Sequence, residues 1–166
     1  MTLDIRPGDG VGPLRFAMSI RNARAALATP LLAMGLGWAK TTSFLKDTRR
    51  DGVPVDDFPD LGLHLYYRVR GEAIVLVAVE MFPPEASPEL LGVSLFATPF
   101  PRVREHVLQR DPAVSIESGS LRSLALGVAM EDRSASEEQE PDAPPSSVFA
   151  FEPGYWDVPL PPVVKR

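Results

Sequence analysis

One stretch of this chain occurs twice, and that repetition limits the possible folds more than any other feature. Residues 12–27 and 92–107 align under a single offset of 80. The matched positions share glycine, phenylalanine, alanine or arginine, and they pair Gly12 with Gly92, Phe16 with Phe96, Ala17 with Ala97, and Arg24 with Arg104. A tandem duplication is the simplest explanation of this agreement.

Each copy carries an apolar triplet with the spacing of one buried helical face. The triplets are Ile20, Ala23 and Leu27 in the first copy, and Phe100, Val103 and Val107 in the second. Positions i, i+3 and i+7 lie on the same side of an α-helix. The sequence therefore predicts a helix over residues 20–28, with Ser19 as its N-cap and Pro30 as its end, and a second helix over about residues 101–109.

The clearest strand signal follows the first predicted helix. Residues 61–69 alternate apolar and polar side chains with a period of two, as in a strand that buries one face. Residues 70–71 predict a tight turn, and residues 72–82 are apolar on both faces until Glu80. Further short runs predict strands in the second half, at 114–117, 124–130 and 148–152.

These patterns predict an α+β fold of two tandem repeats, each a helix packed on a small antiparallel sheet. The predicted boundaries are repeat one at 1–82, a linker at 83–90, repeat two at 91–157 and an extended proline-rich tail at 158–166. Each repeat alone would bury only a modest fraction of its surface. We therefore expect the two repeats to pack together, with sheets that can be continuous across the pseudo-twofold axis.

The negative charge of the chain is concentrated in one segment. Of the 22 acidic and 17 basic residues, residues 131–147 hold six acids and one base, which leaves 16 of each elsewhere. A nucleic-acid-binding protein needs a basic face, and the sequence offers none. There is no secretion signal and no run of about 20 apolar residues that could span a membrane. The sequence thus predicts a cytoplasmic protein that contacts neither nucleic acid nor membrane.

Few residues are candidates for chemistry. Asp56, Asp57 and Asp60 precede the strongest predicted strand, and His64 lies on its polar face. Paired carboxylates can bind a hard cation or transfer protons, but aspartates beside a proline in a loop are also ordinary turn residues. The chain has no cysteine and no paired histidines for a zinc site. We therefore predict no catalytic residue, no metal site and no cofactor.

The acidic segment and an aromatic pair near the C-terminus are the candidates for contact with another protein. The acidic segment can be a solvated insertion, or it can attract a basic partner. The aromatic pair can anchor a partner, or it can close the core of the second repeat. The predicted partner-binding residues are Glu137, Glu138, Glu140, Asp142, Asp56, Asp57, Tyr155 and Trp156.

Three stretches together resemble a family of small, mostly uncharacterised bacterial proteins. They are the opening I-R-P-G-D-G-V-G-P-L-R-F-A-M-S, the segment D-D-F-P-D-L-G-L-H-L-Y-Y and the closing F-E-P-G-Y-W-D. The usual opening of that family resembles G-x-G-P-L-R-F-G-M-S, and Ala17 stands where it has the last glycine. The doubled pattern also resembles the tandem-repeat modules of β-lactamase inhibitor proteins and outer-membrane assembly lipoproteins, which bind other proteins. The cysteine of such lipoproteins is missing here.

The resemblance implies a protein-binding immunity factor, not an enzyme, that neutralises a bacterial toxin domain by direct binding. Two other functions stay open. One is a small-ligand-binding protein or enzyme that uses a cleft between the repeats, with Asp56, Asp57 and His64 as its residues. The other is a structural or assembly adaptor. A toxin-like reading frame immediately upstream of the gene would separate the first function from the other two.

Overall fold

Strands are the most frequent secondary structure of this protein. The computed structural model describes residues 1–33, 42–46, 53–117, 119–131 and 142–157. In these ranges the strands are β1 (Thr2–Arg6), β2 (Gly10–Val11), β3 (Leu14–Arg15), β4 (Thr42–Lys46), β5 (Val53–Phe58), β6 (Leu63–Arg70), β7 (Ala73–Met81), β8 (Ser87–Leu90), β9 (Val93–Ser94), β10 (Ser115–Glu117), β11 (Ser120–Ser123), β12 (Val128–Glu131) and β13 (Ser147–Phe151). The α-helices of the same ranges are α1 (Ile20–Ala33) and α2 (Phe100–Leu108).

The strands form two sheets, and each sheet contains strands from both halves of the chain. The large sheet has the order β10-β11-β12-β13-β7-β6-β5-β4, and all its neighbours are antiparallel. The small sheet has the order β3-β2-β1-β8-β9, with β1 parallel to β8. At the centre of the large sheet β13 pairs with β7, where Ala150 lies opposite Val79. The large sheet therefore crosses from one half of the chain to the other.

The predicted fold of two tandem repeats, each a helix on its own small sheet, is wrong. In the described residues strands outweigh helices, and neither half keeps a sheet to itself. β7 of the first half pairs with β13 of the second, and β1 pairs with β8. The physical reason is that the edge of a sheet leaves backbone N–H and C=O groups unpaired, and the other half of the chain satisfies them here. The predicted linker at 83–90 contains β8, and the predicted tail at 158–166 lies outside the described residues.

Both predicted helices are present with the expected buried faces. Leu27 of α1 and Val103 of α2 are completely buried. The Ser19 hydroxyl oxygen accepts a hydrogen bond from the Asn22 N–H at 3.2 Å, as expected of an N-cap. The predicted end of α1 is wrong, because Pro30 lies inside the helix.

One hydrophobic core fills the space between the large sheet and a second layer formed by the helices and the small sheet. It draws side chains from both sheets and from α1 and α2, including Leu3, Leu27, Leu65, Val107 and Met130, each at most 1% exposed. The large sheet thus has an inner face, which points to this core, and an outer face on its other side.

The opening motif stabilises the start of the fold. The Asp9 carboxylate lies 3.0 Å from Arg6 Nε and 3.1 Å from Arg15 Nε. Both guanidinium groups also donate to the Gly12 carbonyl oxygen, at 2.6 and 3.0 Å. A Cβ atom at Gly10 would lie 2.2 Å from a carbonyl oxygen of β3, so only glycine fits there. The glycines and arginines of this motif therefore hold β2 and β3 together.

Ala17, which stands where the resembled family has glycine, adopts a backbone conformation that favours glycine. Its φ is +66° and its N–H donates to the Leu76 carbonyl oxygen at 2.8 Å. A left-handed alanine costs about 1–2 kcal/mol. We therefore expect Ala17→Gly to raise the free energy of unfolding by about 0.5–1 kcal/mol, after the greater chain entropy of unfolded glycine is subtracted.

The matched control for this prediction is the same substitution inside α1. Ala25 is exposed on the helix surface, so Ala25→Gly is expected to lower the free energy of unfolding by about 1 kcal/mol. Urea denaturation of the wild type and the two variants measures both changes. A loss of stability in Ala17→Gly as large as that in Ala25→Gly would show that the φ of Ala17 carries no strain.

Candidate functional site

The outer face of the large sheet carries a row of polar and aromatic side chains. Directly opposite residues of antiparallel neighbours lie on the same face of a sheet. The strand pairings place six such residues in line from β5 to β11, namely Asp57, His64, Glu80, Phe149, Ala129 and Arg122. We call this set the outer row. It begins in the first half of the chain and ends in the second.

The first part of the outer row is a cluster of hydrogen-bonding groups. The Tyr66 hydroxyl donates to the Glu80 carboxylate at 2.5 Å. The two ring nitrogens of His64 lie 3.4 Å from an Asp57 oxygen and 3.5 Å from a Glu80 oxygen, and the ring packs edge-on against Phe82. Burial, followed by the bond to Glu80, raises the pKa of Tyr66, so the phenol stays protonated and keeps donating. These contacts fix the position of the Glu80 carboxylate.

The second part of the outer row is aromatic. Phe149 packs against Tyr66, Phe151, Tyr155 and Trp156, with ring centroids 5.3 to 6.4 Å apart. Tyr155 is 6% exposed, whereas Trp156 is 39% exposed. The two residues of the predicted aromatic pair therefore differ in exposure. Tyr155 is buried in the aromatic cluster, and Trp156 lies at the surface.

The turn that carries Tyr155 and Trp156 is held against the sheet by arginines. Arg70 donates to the buried Glu152 carboxylate, and Arg68 lies 3.8 Å from the same carboxylate. Burial raises the pKa of Glu152, and the charges of Arg70 and Arg68 act against that shift. Arg68 also donates to the Tyr155 carbonyl oxygen at 3.1 Å and lies over the Tyr155 ring. The turn is thus anchored on the outer face.

A small pocket opens at the join between the two halves. It has a volume of about 270 Å³, and its lining includes Glu80 from the first half and Ser120, Arg122, Glu131, Phe149 and Trp156 from the second. The guanidinium of Arg122 lies 5.0 Å from the centre of the Trp156 ring. We call this depression the indole pocket. Two further depressions, of about 630 and 430 Å³, lie along α2, and the described residues that line them include no Trp, Tyr or Phe side chain.

Asp56 and Asp57, which the sequence analysis grouped together, lie on opposite faces of β5. Asp56 points to the core, is 2% exposed, and accepts from Arg24 at 2.6 and 2.8 Å and from the Tyr67 hydroxyl at 2.9 Å. Asp57 is beside His64 on the outer face. The bond to Asp56 raises the pKa of Arg24. Asp56 therefore connects α1 to the sheet and is not part of the outer face.

The structure describes one of the four acidic residues that the sequence singled out in segment 131–147. Asp142 is exposed, next to Ala143, whose carbonyl oxygen accepts from the Phe100 N–H at the start of α2. The others, Glu137, Glu138 and Glu140, lie outside the described residues.

No family of proteins, no curated protein and no solved structure matches this chain. The resemblance to small bacterial proteins thus stays a prediction based on its three stretches. Within the described ranges, no three His, Asp or Glu side chains are grouped closely enough to hold a metal ion. In those same ranges no helix is both long and apolar enough to cross a membrane.

Of the residues named above for the indole pocket, the sequence predicted only Trp156 as a binding residue. It missed Glu80, Ser120, Arg122, Glu131 and Phe149. Glu80 had a visible signal, because it is a charge near the end of an otherwise apolar strand. Arg122 and Phe149 had none, because their place in the pocket depends on the register of strands from different hairpins.

Proposed function

We propose that this chain is a protein-binding immunity factor that neutralises a bacterial toxin domain by direct contact through the outer face of its large sheet. The observation that carries the proposal is the outer row, which places aromatic and charged side chains in fixed positions on a broad sheet. Binding energy in protein interfaces is concentrated in tryptophan, tyrosine and arginine side chains. Trp156 and Arg122 supply two of these types beside the indole pocket.

The charge near the indole pocket favours a basic partner, since Arg68 and Arg70, which also lie on the outer face, are paired with Glu152. Asp57, Glu80 and Glu131 provide carboxylates, and Arg122 is the cation among them in the indole pocket. Residues 131–147, which begin at the edge of that pocket, hold six acids and one base. Complementary charge steers encounter and selects the partner. The proposed contact surface of the toxin is therefore a basic patch, at its active site or at a surface that its activity needs.

The proposal assigns no catalytic residue, cofactor, metal, nucleic acid or membrane to the protein, and it places the protein in the cytoplasm. A small-ligand-binding role is the second candidate, favoured by the indole pocket at the join of the two halves. Asp56, Asp57 and His64, the residues first considered for an enzyme, do not form one site. Asp56 faces the core, whereas Asp57 and His64 face outward.

The test is co-expression with the product of the adjacent gene, followed by copurification and measurement of the dissociation constant. We expect the product to be toxic alone and harmless beside this protein. Trp156→Ala should raise the dissociation constant at least about thirtyfold, as for a central anchor. Leu32→Ala is the matched control, because Leu32 is also exposed (73%) but lies on α1, away from the outer face.

Two results would count against the immunity function. The adjacent product could be harmless alone, or it could stay toxic and fail to copurify. If the partner binds but Trp156→Ala and Leu32→Ala both leave the affinity unchanged, the toxin contacts another surface and the role of the outer face is wrong.

A further inference from the structure

We propose that the indole pocket is a receptor for one arginine side chain, which the protein partner inserts between Glu80, Glu131 and the ring of Trp156. The identity of the partner rests on the proposed function. The chemistry of the pocket does not, since it follows from groups that this chain holds in place.

The size of the pocket fits a single side chain. Sites for drug-sized ligands occupy about 300–1,000 Å³, and the indole pocket, at about 270 Å³, is below that range. It is open on the outer face, where a partner docked on the sheet would reach it. The pocket is therefore large enough for one side chain projecting from that partner.

The charge of the pocket favours a cation. Among the residues that the structure describes, two carboxylates, Glu80 and Glu131, line it against one guanidinium, Arg122. The Tyr66 hydroxyl takes one of the roughly four acceptor positions of the Glu80 carboxylate. The bond with Tyr66 also fixes the carboxylate before any ligand arrives, which lowers the ordering cost of binding.

The aromatic lining favours a planar cation over a compact one. Arg122 already lies 5.0 Å from the centre of the Trp156 ring, within the distance of about 6 Å that is typical of cation–π contacts. Phe149 forms a second wall, with its ring 6.4 Å from that of Trp156. A guanidinium can stack on such rings and bind a carboxylate through two N–H groups, whereas an ammonium cannot stack. These walls therefore select arginine over lysine.

The position of Arg122 leads to a prediction that distinguishes a cation-binding pocket from an anion-binding one. Its guanidinium occupies part of the pocket and carries the same charge as the incoming arginine. If the pocket binds arginine, removal of the Arg122 charge should strengthen binding, because like charges at short distance repel each other. A pocket that binds an anionic group through Arg122 would show the opposite change.

The experiment titrates the protein with N-acetyl-arginine methylamide and follows the indole N–H signals by NMR. The chain has two tryptophans, so a Trp156→Phe variant assigns the signal of Trp156. We expect a saturable shift with a dissociation constant on the order of 1–10 mM, as for a ligand of this size. The citrulline analogue, which has nearly the same shape and no charge, should bind at least about fivefold more weakly.

Three variants test the roles of the charges. Glu80→Gln should weaken arginine binding about fivefold, and Arg122→Gln should strengthen it about twofold or more. Glu72→Gln makes the same change on an exposed turn outside the pocket and should leave binding unchanged. Circular dichroism checks folding, and Glu131→Gln replaces Glu80→Gln if the latter does not fold, with the same expected direction.

The inference is wrong if the citrulline analogue binds as well as the arginine probe, if N-acetyl-glutamate methylamide binds in its place, or if the carboxylate variants bind arginine like the wild type. These results are separate from the partner test. A pocket that binds arginine while the adjacent gene product fails to bind contradicts the immunity function alone. A partner that binds Glu80→Gln and Glu131→Gln as tightly as the wild type contradicts the arginine receptor alone.

Discussion

Replacing Leu27 by alanine is expected to lower the free energy of unfolding by about 2–5 kcal/mol. Leu27 is completely buried on the face of α1 that contacts the core. The substitution removes apolar contacts and leaves a cavity that the surrounding layers fill only in part. Urea denaturation followed by circular dichroism measures the loss.

The same helix provides the control for this prediction. Leu32 is 73% exposed, so Leu32→Ala should change the free energy of unfolding by less than about 0.5 kcal/mol. The difference between the two variants then reports burial and not the helix propensity of alanine, which is the same at both positions. Equal losses in Leu27→Ala and Leu32→Ala would mean that the described buried face of α1 is incorrect.

Replacing Asp56 by alanine is expected to lower the free energy of unfolding by about 2–4 kcal/mol. The carboxylate is 3% exposed and accepts from both Arg24 and Tyr67. The Arg24 side chain is 40% exposed, so water can solvate it when its partner is lost. Most of the loss therefore comes from the Tyr67 hydroxyl, which is left buried without this acceptor, and from the missing side-chain volume.

A double-mutant cycle separates these contributions. Tyr67→Phe alone should cost about 1 kcal/mol, because it removes one hydrogen bond and leaves Asp56 paired with Arg24. The double variant should lose less than the sum of the single losses, since no buried hydroxyl is then left behind. Strictly additive losses in the four-protein comparison would show that the Asp56–Tyr67 hydrogen bond contributes nothing to stability.

Local features of the fold could be predicted from the sequence where short-range periodicity determines them. The alternation in residues 61–69 predicted β6, and the spacing of Ala23 and Leu27 predicted the buried face of α1. The predicted strand at 124–130 was only partly correct. Residues 124–127 form a turn with Leu124 59% exposed, and the strand begins at Val128. An alternating pattern of only four apolar residues cannot distinguish a strand from a turn followed by a shorter strand.

Pairing between distant strands could not be predicted, because no local pattern encodes a partner far along the chain. The parallel pair β1–β8 and the central pair β7–β13 join the two halves, and both contradict separate repeats. The same limit applies to the outer face. Glu80 was visible as a charge in an apolar strand, but its neighbours Phe149 and Arg122 are brought to it only by the register of four strands.

The central pairing of β7 with β13 has a consequence for synthesis on the ribosome. β7 is complete at Met81, but β13, which lies on the opposite side of β7 from β6, ends only at Phe151. When only the first half of the chain has left the ribosome, β7 is an edge strand that is unpaired on one side. Most of its side chains, on both faces, are ones that are buried in the complete fold. Such edges pair readily with other chains, and contacts between distant residues form slowly. The interval between the emergence of these two strands is therefore when the protein is most exposed to aggregation.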